Sequence, residues 1–295
     1  MVSTEAPTDG AIVRGAPAPG APAAAAPARR PSWFSPDNAV SVQVSRIVFA
    51  AVVLGTWQYG ADRWFDSFYF STPLKIFQQV GQEIISPGFY HDLWVTTFEM
   101  ILGFGIGAGG GMVLGVFLAR SAYVAKMLDP FLLALYSIPR VALAPMLIVW
   151  FGIGYSSKVF LAATLVFFVV FFNTLAGIRS VEKALCDIAR VMKATEWQVF
   201  WKVMLPSASS WILTSIKVSL PFALVGVIFG EYLVSSEGLG FRLNNYSTNY
   251  NISGAMAIIF LLMILMLVLT TATNALEGRL LRWRPKSAAE RFAQS

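Results

Sequence analysis

The chain has 295 residues, of which 56% are hydrophobic and only 13% are charged, and its formal net charge is +6. Because soluble domains carry about 25% charged residues, this composition excludes an ordinary soluble protein and indicates an integral membrane protein. The single cysteine, Cys186, excludes an internal disulfide, and one histidine, His91, cannot complete a metal site with it within one chain. We therefore expect neither a metal nor another cofactor, and the basic charge does not by itself indicate nucleic-acid binding.

The first 40 residues are dominated by alanine, proline and glycine. Proline blocks helix propagation, and few side chains here could form a core, so we expect a disordered tail over residues 1–40. No apolar stretch near the start has the character of a secretory signal, and we therefore expect no cleaved signal peptide.

Six apolar segments follow, each about long enough to cross a bilayer. They lie at 43–61, 92–118, 128–151, 158–178, 210–233 and 253–275. The sequence thus predicts an all-α polytopic membrane protein with six transmembrane helices within residues 41–276. Residues 277–295 are basic with interspersed leucine and tryptophan, which predicts a tail that binds anionic lipid headgroups.

The distribution of basic residues predicts the orientation in the membrane. Of the 22 Lys and Arg residues, 16 fall on one side of the predicted spans, four fall on the other, and two lie within the spans. The four are Arg63, Lys75, Lys158 and Arg242, and the two are Arg140 and Lys217. Because positive residues favour the cytoplasmic side, both termini and the connection 179–208 are predicted to be cytoplasmic.

Glycine and proline mark three of the spans. In the second span glycine recurs at every fourth residue, which predicts that another helix approaches its backbone closely. In the third and fifth spans, prolines predict kinks or breaks. These residues are Gly103, Gly107, Gly111 and Gly115, and Pro139, Pro145 and Pro221. The pattern suits a bundle that moves, although ordinary tight packing explains each residue as well.

The connection "LCDIARVMKATEWQVFWKVMLPSA" (185–208) has the pattern of two short helices. The first helix has an apolar stripe of Leu185, Ile188, Ala189 and Met192, and the second is predicted to place Trp197, Phe200, Trp201 and Met204 on one side. Thr195 and Gln198 have the spacing of a capping box that begins the second helix, and Leu205–Pro206 is predicted to end it. The pattern alone fits a helix lying on lipid headgroups as well as a docking element.

The same connection resembles the EAA loop of ATP-binding cassette (ABC) importer permeases. Asp187, Ile188 and Ala189 stand at the E/D-A-A positions of that motif, and Leu205–Pro206 stands at its final L-P. Lys193 occupies the position at which the family pattern has glycine. Because a left-handed backbone there suits glycine, we expect either a cost of about 1 kcal/mol or a different turn.

Two further blocks extend the resemblance to nearly the whole chain after the N-terminal tail. "SIPRVALAPMLIVWFGIG" (137–154) and "GEYLVSSEGLGF" (230–241) are similar to blocks of the nitrate, sulfonate and taurine group of permeases. The resemblance implies a multi-pass permease subunit of the bacterial inner membrane, which forms the translocation path as a homodimer. The implied solute is a small anion or heterocycle, such as nitrate, a sulfonate, taurine or a pyrimidine precursor.

In such importers a separate ATPase binds the EAA loop, and an extracytoplasmic solute-binding protein delivers the solute. The chain has no G-x-x-x-x-G-K-[ST] motif, so the resemblance implies a subunit that is not itself an enzyme and depends on its partner for ATP hydrolysis. The residues that it implies for coupling to the ATPase are Asp187, Ala189, Lys193, Thr195, Trp197, Phe200, Leu205 and Pro206.

Polar residues within the spans are candidates for the translocation path, because exposing them to lipid is costly. These candidates are Glu99, Arg140, Asn173 and Glu231. Arg140 could instead pair with Glu99 or Glu231, or extend to the interface. Glu231 matches a family position near the outer mouth, where it could be a gate or a structural anchor.

Two other functional classes are open to a membrane protein of this composition. An ion-gradient-driven secondary transporter would favour inverted repeats and several buried carboxylates, but the two halves show no convincing repeat. A membrane enzyme would need a cluster of catalytic groups at the bilayer edge, and we predict no catalytic residues here.

Overall fold

The computed structural model describes residues 39–63 and 71–280, so most of the predicted N-terminal tail and the end of the basic C-terminal tail lie outside the described residues. The main compact unit begins at Ala51, and residues 39–50 belong to a separate unit. Within the described ranges every regular element is helical. The all-α fold predicted from the sequence is therefore confirmed.

The described residues form eleven α-helices. The first six are α1 (Ala39–Arg63), α2 (Pro73–Ile85), α3 (Phe89–Ala119), α4 (Ala122–Ser137), α5 (Ala144–Phe151) and α6 (Tyr155–Arg179). The others are α7 (Lys183–Val191), α8 (Glu196–Val199), α9 (Leu205–Val234), α10 (Leu239–Thr248) and α11 (Ile252–Leu280). A 3-10 turn, Arg140–Leu143, precedes α5, and a π-helical turn, Phe200–Met204, joins α8 to α9.

Five helical segments in this part of the chain are long and apolar enough to cross a membrane. They are Val40–Ala61, Phe89–Ala119, Tyr155–Arg179, Glu196–Val234 and Ile252–Ala275. The predicted third span is a pair of helical segments, Tyr123–Ser137 and Arg140–Phe151, with a bend of 76° between them. Taken as one broken span, the pair brings the number of spans to six. Ile138 is extended at the bend because Pro139 disfavours a helical residue before it. Pro221, in contrast, lies inside an uninterrupted α9.

Helices α3, α6 and α9 form the centre of the bundle. The glycine-rich face of α3 lies directly against α6, as its spacing predicts. A Cβ atom on Gly107 would lie 2.5 Å from Ala163 O, and one on Gly103 would lie 2.7 Å from Ala162 Cβ. On α9, a Cβ atom on Gly226 would lie 2.6 Å from Ala162 Cα. Ala162 is therefore in contact with both neighbouring helices, and missing side chains bring the three backbones together.

Helices α2 and α10 are not among the elements predicted from the sequence. Pro73 begins α2, and the Thr72 side chain accepts a hydrogen bond from the Lys75 N–H. Helix α2 buries Ile76 in an apolar cluster with Ile258 of α11. We call the end of the bundle that contains α2, α10 and the start of α3 and α6 the α10 end. The opposite end, which contains α7, α8 and the C-terminal ends of α3 and α6, is the loop end.

Candidate functional site: the coupling loop and the charges in the spans

The first helix of the candidate coupling loop, α7, ends in a defined turn. The Lys193 N–H donates to Arg190 O at 2.9 Å, and the Ala194 N–H donates to Ala189 O at 3.0 Å. These two bonds are those of a Schellman motif, and Lys193 has the left-handed φ of 60° that the motif requires. Lys193 therefore adopts the same left-handed turn that glycine favours, and this conformation costs about 1 kcal/mol of folding free energy.

The second helix, α8, begins with the predicted capping box, which is confirmed. Thr195 Oγ1 accepts a hydrogen bond from the Gln198 N–H at 3.3 Å, and Gln198 Oε1 accepts one from the Thr195 N–H at 3.0 Å. The prediction that Leu205–Pro206 ends this helix is wrong, because the chain continues through the π turn into α9. The Leu205 N–H donates to Phe200 O, five residues back, and this wider turn accommodates a proline that has no N–H to offer.

One face of α7 is apolar and exposed at the loop end. Its residues are Leu185, Ile188, Val191 and Met192, and we call them the α7 patch. Val191 is 83% exposed, whereas Cys186 on the same helix is buried. Most of the predicted apolar stripe is therefore exposed, and the exposed face also includes Val191, which was not part of the prediction. An exposed apolar surface of this kind indicates contact with a protein or with lipid.

The aromatic residues after Thr195 do not share one environment. Trp197 is 54% exposed and Trp201 is 41% exposed, and their ring centroids lie 5.4 Å apart. Phe200 is only 5% exposed and packs with Ile178 of α6 and Ala208 of α9. The predicted single aromatic face is therefore wrong for Phe200, which anchors the loop to the bundle while both tryptophans remain at its surface.

Arg190 joins α7 to α8 through ion pairs that the sequence did not predict. Its guanidinium donates to Asp187 Oδ1 at 2.9 Å and to the two carboxylate oxygens of Glu196 at 2.8 and 3.1 Å. The hydrogen bond to Glu196, followed by the one to Asp187, raises the pKa of Arg190. Asp187 and Arg190 have a recognisable i, i+3 spacing, but the pair with Glu196 depends on the turn at Lys193.

Arg120, at the C-terminal end of α3, contacts the loop from the bundle. Its guanidinium carbon lies 4.4 Å from the ring centroid of Trp197 and 5.7 Å from that of Phe200. A cation over an aromatic ring is held by the negative charge on the ring face. No spacing rule connects residues so far apart in the chain, and the sequence therefore gives no signal for this contact.

A buried ion pair joins α3 to α6. Lys158 Nζ lies 2.5 Å from Glu99 Oε1, and the two residues are 4% and 1% exposed. Lys158 also donates to Ser235 Oγ, just after α9, at 3.2 Å. The sequence-based alternative in which Arg140 pairs with Glu99 is wrong. The Glu99 carboxylate is paired with Lys158, which was predicted from the sequence to lie in a connection outside the spans. No hydrogen-bond partner for Glu99 Oε2 occurs among the described residues.

Glu231 holds the segment before α10 against the spans. Its carboxylate accepts hydrogen bonds from Thr96 Oγ1 at 2.8 and 3.0 Å and from the Gly240 N–H at 2.7 Å. The Leu239 N–H donates to Thr96 Oγ1 at 2.8 Å. Gly238 has a φ of 100°, and a Cβ atom there would overlap the Glu231 carboxylate. This geometry is that of an anchor for the N-terminus of α10, and it gives a physical reason for the G-L-G pattern.

Arg242 of α10 connects the helices of the α10 end. Its guanidinium lies 2.5 Å from Asp92 of α3 and 2.9 Å from Glu83 of α2. Burial by itself lowers the pKa of Arg242, but its hydrogen bond to Asp92 and the charges of Asp92 and Glu83 raise it above its ordinary value. Tyr246 donates to Glu83, and burial together with this bond raises the pKa of Tyr246 to about 12.

Arg140 lies at the break between α4 and α5 and forms neither of the ion pairs considered for it. Its Nη2 donates to Tyr136 O at 2.9 Å. Its guanidinium carbon lies 4.6 Å from the ring centroid of Tyr136 and 4.5 Å from that of Phe168. Asn173 of α6 donates to Val169 O of its own helix at 2.8 Å.

The four predicted path residues do not form one site. Glu99 and Glu231 both interact electrostatically with Lys158, whereas Arg140 contacts the rings described above and Asn173 bonds within α6. In the described ranges no group of three His, Cys, Asp or Glu side chains could hold a metal ion.

Residues 111–283 match a family model described as the binding-protein-dependent transport system inner membrane component. The chain belongs to this family. The matched residues include the bent pair of α4 and α5, the candidate coupling loop and Glu231, so the blocks that carry the resemblance in the sequence all lie within them. The chain is therefore a permease subunit of an ABC importer, and an ion-gradient-driven transporter is not favoured.

Named relatives of this permease support the assignment. SsuC of Bacillus subtilis (strain 168), named as an aliphatic sulfonates transport permease, is 31% identical over 81% of this chain and 87% of its own length. ThiX of Halalkalibacterium halodurans, a formylaminopyrimidine transport permease, is 28% identical over 81% of this chain and 95% of its own length. Both relatives are transport permeases.

The fold is similar to that of a solved chain from the MetNI methionine ABC transporter in an inward-facing conformation. The TM-score is 0.56, the sequence identity is 20%, and the likeness covers 63% of this chain and 93% of the other. At this identity the likeness concerns the fold alone. Family membership implies that ATP hydrolysis belongs to a partner ATPase and that a solute-binding protein is a second partner.

Proposed function

We propose that this permease, as one of two identical copies, forms the translocation path of the importer and binds its ATPase through the α7 patch on the cytoplasmic side. The observation that carries this proposal is an exposed apolar helix face on a rigid support. Helix α7 is fixed to α8 by Arg190, and α8 is fixed to the bundle by Phe200 and Arg120. A force applied to such an element is transmitted to the spans and is not absorbed by a flexible loop.

The orientation gains support from the positions of the basic residues. Two of the four Lys and Arg residues predicted to be outside, Lys158 and Arg242, are neutralised in ion pairs with Glu99 and with Asp92 and Glu83. At the loop end the described basic residues are Arg120, Lys126, Arg179, Lys183, Arg190, Lys193 and Lys202. Arg190 at the loop end is paired as well, so ion pairs do not alter the balance. Seven described basic residues lie at the loop end against the four predicted to be outside, which favours a cytoplasmic loop end and cytoplasmic termini.

The eight residues implied for coupling have different proposed roles. Trp197 is exposed and is assigned, with the α7 patch, to direct contact with the ATPase. The others set the shape that presents this surface: Asp187 and Ala189 shape α7, Lys193 makes the turn, Thr195 caps α8, Phe200 anchors it, and Leu205 and Pro206 begin α9.

The second copy is proposed to cover α4 and α5. Several of their large apolar side chains are exposed, including Phe131, Val149 and Trp150. Apolar surface on a span must face lipid or another protein. Two copies meeting near the broken span would enclose a path between them, and Arg140 and Asn173 are proposed to lie along it, whereas Glu99 and Glu231 support its walls.

The names of the relatives favour a small sulfonate or a heterocyclic precursor as the solute. SsuC is named for aliphatic sulfonates and ThiX for formylaminopyrimidine. We place the sulfonate class first, because Arg140 supplies a positive charge within a span.

The docking proposal is tested with two exposed apolar residues of nearly equal accessibility. Val191 in the α7 patch is 83% exposed, and Ile85 at the end of α2 is 84% exposed. Each is replaced by aspartate, and the amount of ATPase subunit that co-purifies with the permease is measured. Val191→Asp is expected to lower it at least tenfold and Ile85→Asp to leave it unchanged. Full retention of the ATPase by Val191→Asp would refute the docking surface.

A further inference from the structure

Arg140 differs from Lys158 and Glu231 in how its charge is accommodated within the described residues. Lys158 is paired with Glu99, and Glu231 is held by Thr96 and the Gly240 N–H. Arg140 makes no ion pair with any carboxylate of residues 39–63 or 71–280. Its Nε is buried and has no hydrogen-bond partner in those residues.

An unneutralised guanidinium in a span is costly unless an anion or water reaches it. Arginine remains charged at any physiological pH, so the group cannot escape this cost by losing its proton. It has five N–H donors in a planar fork, and the one acceptor found for them in the described residues is Tyr136 O. The remaining donors match an oxyanion such as a sulfonate, which accepts two parallel hydrogen bonds.

The surroundings of Arg140 are aromatic. The ring centroids of Tyr136 and Phe168 each lie within 4.6 Å of the Arg140 guanidinium carbon. Phe172 packs against Tyr136 with ring centroids 5.1 Å apart. The rings hold the guanidinium by cation–π contacts and keep its plane fixed. They also offer apolar surface directly beside the charge, which suits a ligand with an anionic group on an apolar or planar body.

We infer that Arg140, Tyr136 and Phe168 form a site on the translocation path for the anionic group of the solute. This inference rests on the proposed function, since it takes the break between α4 and α5 to line the path. It assigns the solute to the class of organic sulfonates or similarly shaped oxyanions, with Arg140 as the group that binds the charge. A lipid phosphate has the same chemistry, and the experiment separates the two sources.

The experiment measures the local preference for anions with a reporter cysteine. In the assembled transporter in phosphatidylcholine nanodiscs, with Cys186→Ser, the exposed residue Ser137 is replaced by cysteine. Its reaction rates with a sulfonate-bearing and a trimethylammonium-bearing methanethiosulfonate are compared, with Arg140 intact and as Arg140→Gln. Thr248→Cys on α10 is the remote reporter, and Lys217→Gln is the matched loss of a cation within a span.

We expect Arg140→Gln to lower the ratio of anionic to cationic reagent rates at the Ser137→Cys reporter severalfold, because a nearby positive charge attracts the anionic reagent and repels the cationic one. Arg140→Gln should leave the ratio at the Thr248→Cys reporter unchanged. Lys217→Gln should leave the ratio at the Ser137→Cys reporter unchanged. An unchanged ratio, an equal fall with Lys217→Gln, or no reaction with either reagent would overturn the site. None of these results depends on the ATPase contact, so they are independent of the Val191→Asp test.

Soluble probes then identify the ligand. Butanesulfonate at millimolar concentration is expected to slow the anionic reagent at the Ser137→Cys reporter severalfold when Arg140 is present, and to have no effect with Arg140→Gln. Its uncharged analogue, butyl methyl sulfone, should not protect in either case. If butanesulfonate protects only after lipid is removed, a lipid phosphate occupies the site and the assignment to solute is wrong.

Discussion

The guanidinium of Arg120 lies 4.4 Å from the ring centroid of Trp197. This contact joins the end of α3 to the proposed ATPase-docking loop, which otherwise meets the bundle through Phe200 and the continuous helix of α9. Helix α4 begins at Ala122, directly after α3, so a displacement of Trp197 is carried by a short connection to the broken span. The loop therefore has a second mechanical link to the spans besides its own chain.

Replacing Arg120 by alanine is expected to lower the amount of solute imported per ATP hydrolysed severalfold. Trp197→Ala should have a similar effect, and the double variant should be no worse than either, because the two side chains act as one contact. Solute import and ATP hydrolysis are measured in the same proteoliposomes. Lys126→Ala, which removes another exposed cation at the loop end, is the control. Additive losses in the double variant would contradict a shared role.

The ion pair between Arg190 and Glu196 fixes the angle between α7 and α8. Because both side chains are exposed to solvent, breaking it should change the free energy of unfolding very little. The single variants Arg190→Glu and Glu196→Arg are nevertheless expected to reduce co-purification of the ATPase, since the α7 patch is no longer held in place. The exchanged pair, carrying both changes, should recover most of it. Failure of the exchanged pair to exceed the single variants would show that the pairing itself does not matter.

The buried pair of Lys158 and Glu99 is expected to dominate stability near the α10 end. Lys158→Met leaves a carboxylate unpaired in a buried site, and the loss in free energy of unfolding should be about 3–5 kcal/mol. Adding Glu99→Leu to Lys158→Met should restore most of the lost free energy of unfolding. Denaturant unfolding of the purified protein in detergent measures the effect, and Lys75→Met, at an exposed position of α2, serves as the control. A double variant as unstable as Lys158→Met alone would contradict the pairing.

Gly238 is expected to tolerate no side chain. Its φ is 100°, and a Cβ atom there would overlap the Glu231 carboxylate. Gly238→Ala should therefore cost at least about 2 kcal/mol in unfolding free energy and displace α10 from Thr96. Gly81→Ala in α2 is the matched change, because no heavy atom lies within 4 Å of the Cβ position there. Equal thermal stability of the two variants would disprove the anchor role of the G-L-G segment.

Features fixed by neighbours in the chain were predicted from the sequence. The Thr195 capping box and the break at Pro139 depend on side chains a few residues apart, and both are confirmed. The glycine face of α3 was also predicted, because its spacing alone reveals a close contact. The exception is Leu205–Pro206, where the local signal for a helix end is overridden by a π turn.

Features that depend on pairing between spans could not be predicted. Lys158 and Glu99 lie on different helices, and only the packing of α3 against α6 brings them within 2.5 Å. The contact of Arg120 with Trp197 has the same origin. Helices α2 and α10 were missed because they bury only one side and are too short and polar to be read as spans. Their burial comes from contacts such as that of Ile76 with Ile258 of α11.

The sidedness of the α7 patch is the most direct test of the proposed coupling. In a Cys186→Ser background, Val191→Cys is treated with a membrane-impermeant maleimide, first in intact cells and then in inverted membrane vesicles. We predict labelling in the inverted vesicles alone, and protection from labelling when the ATPase subunit is bound. Labelling of intact cells from outside would contradict a cytoplasmic loop worked by an ATPase.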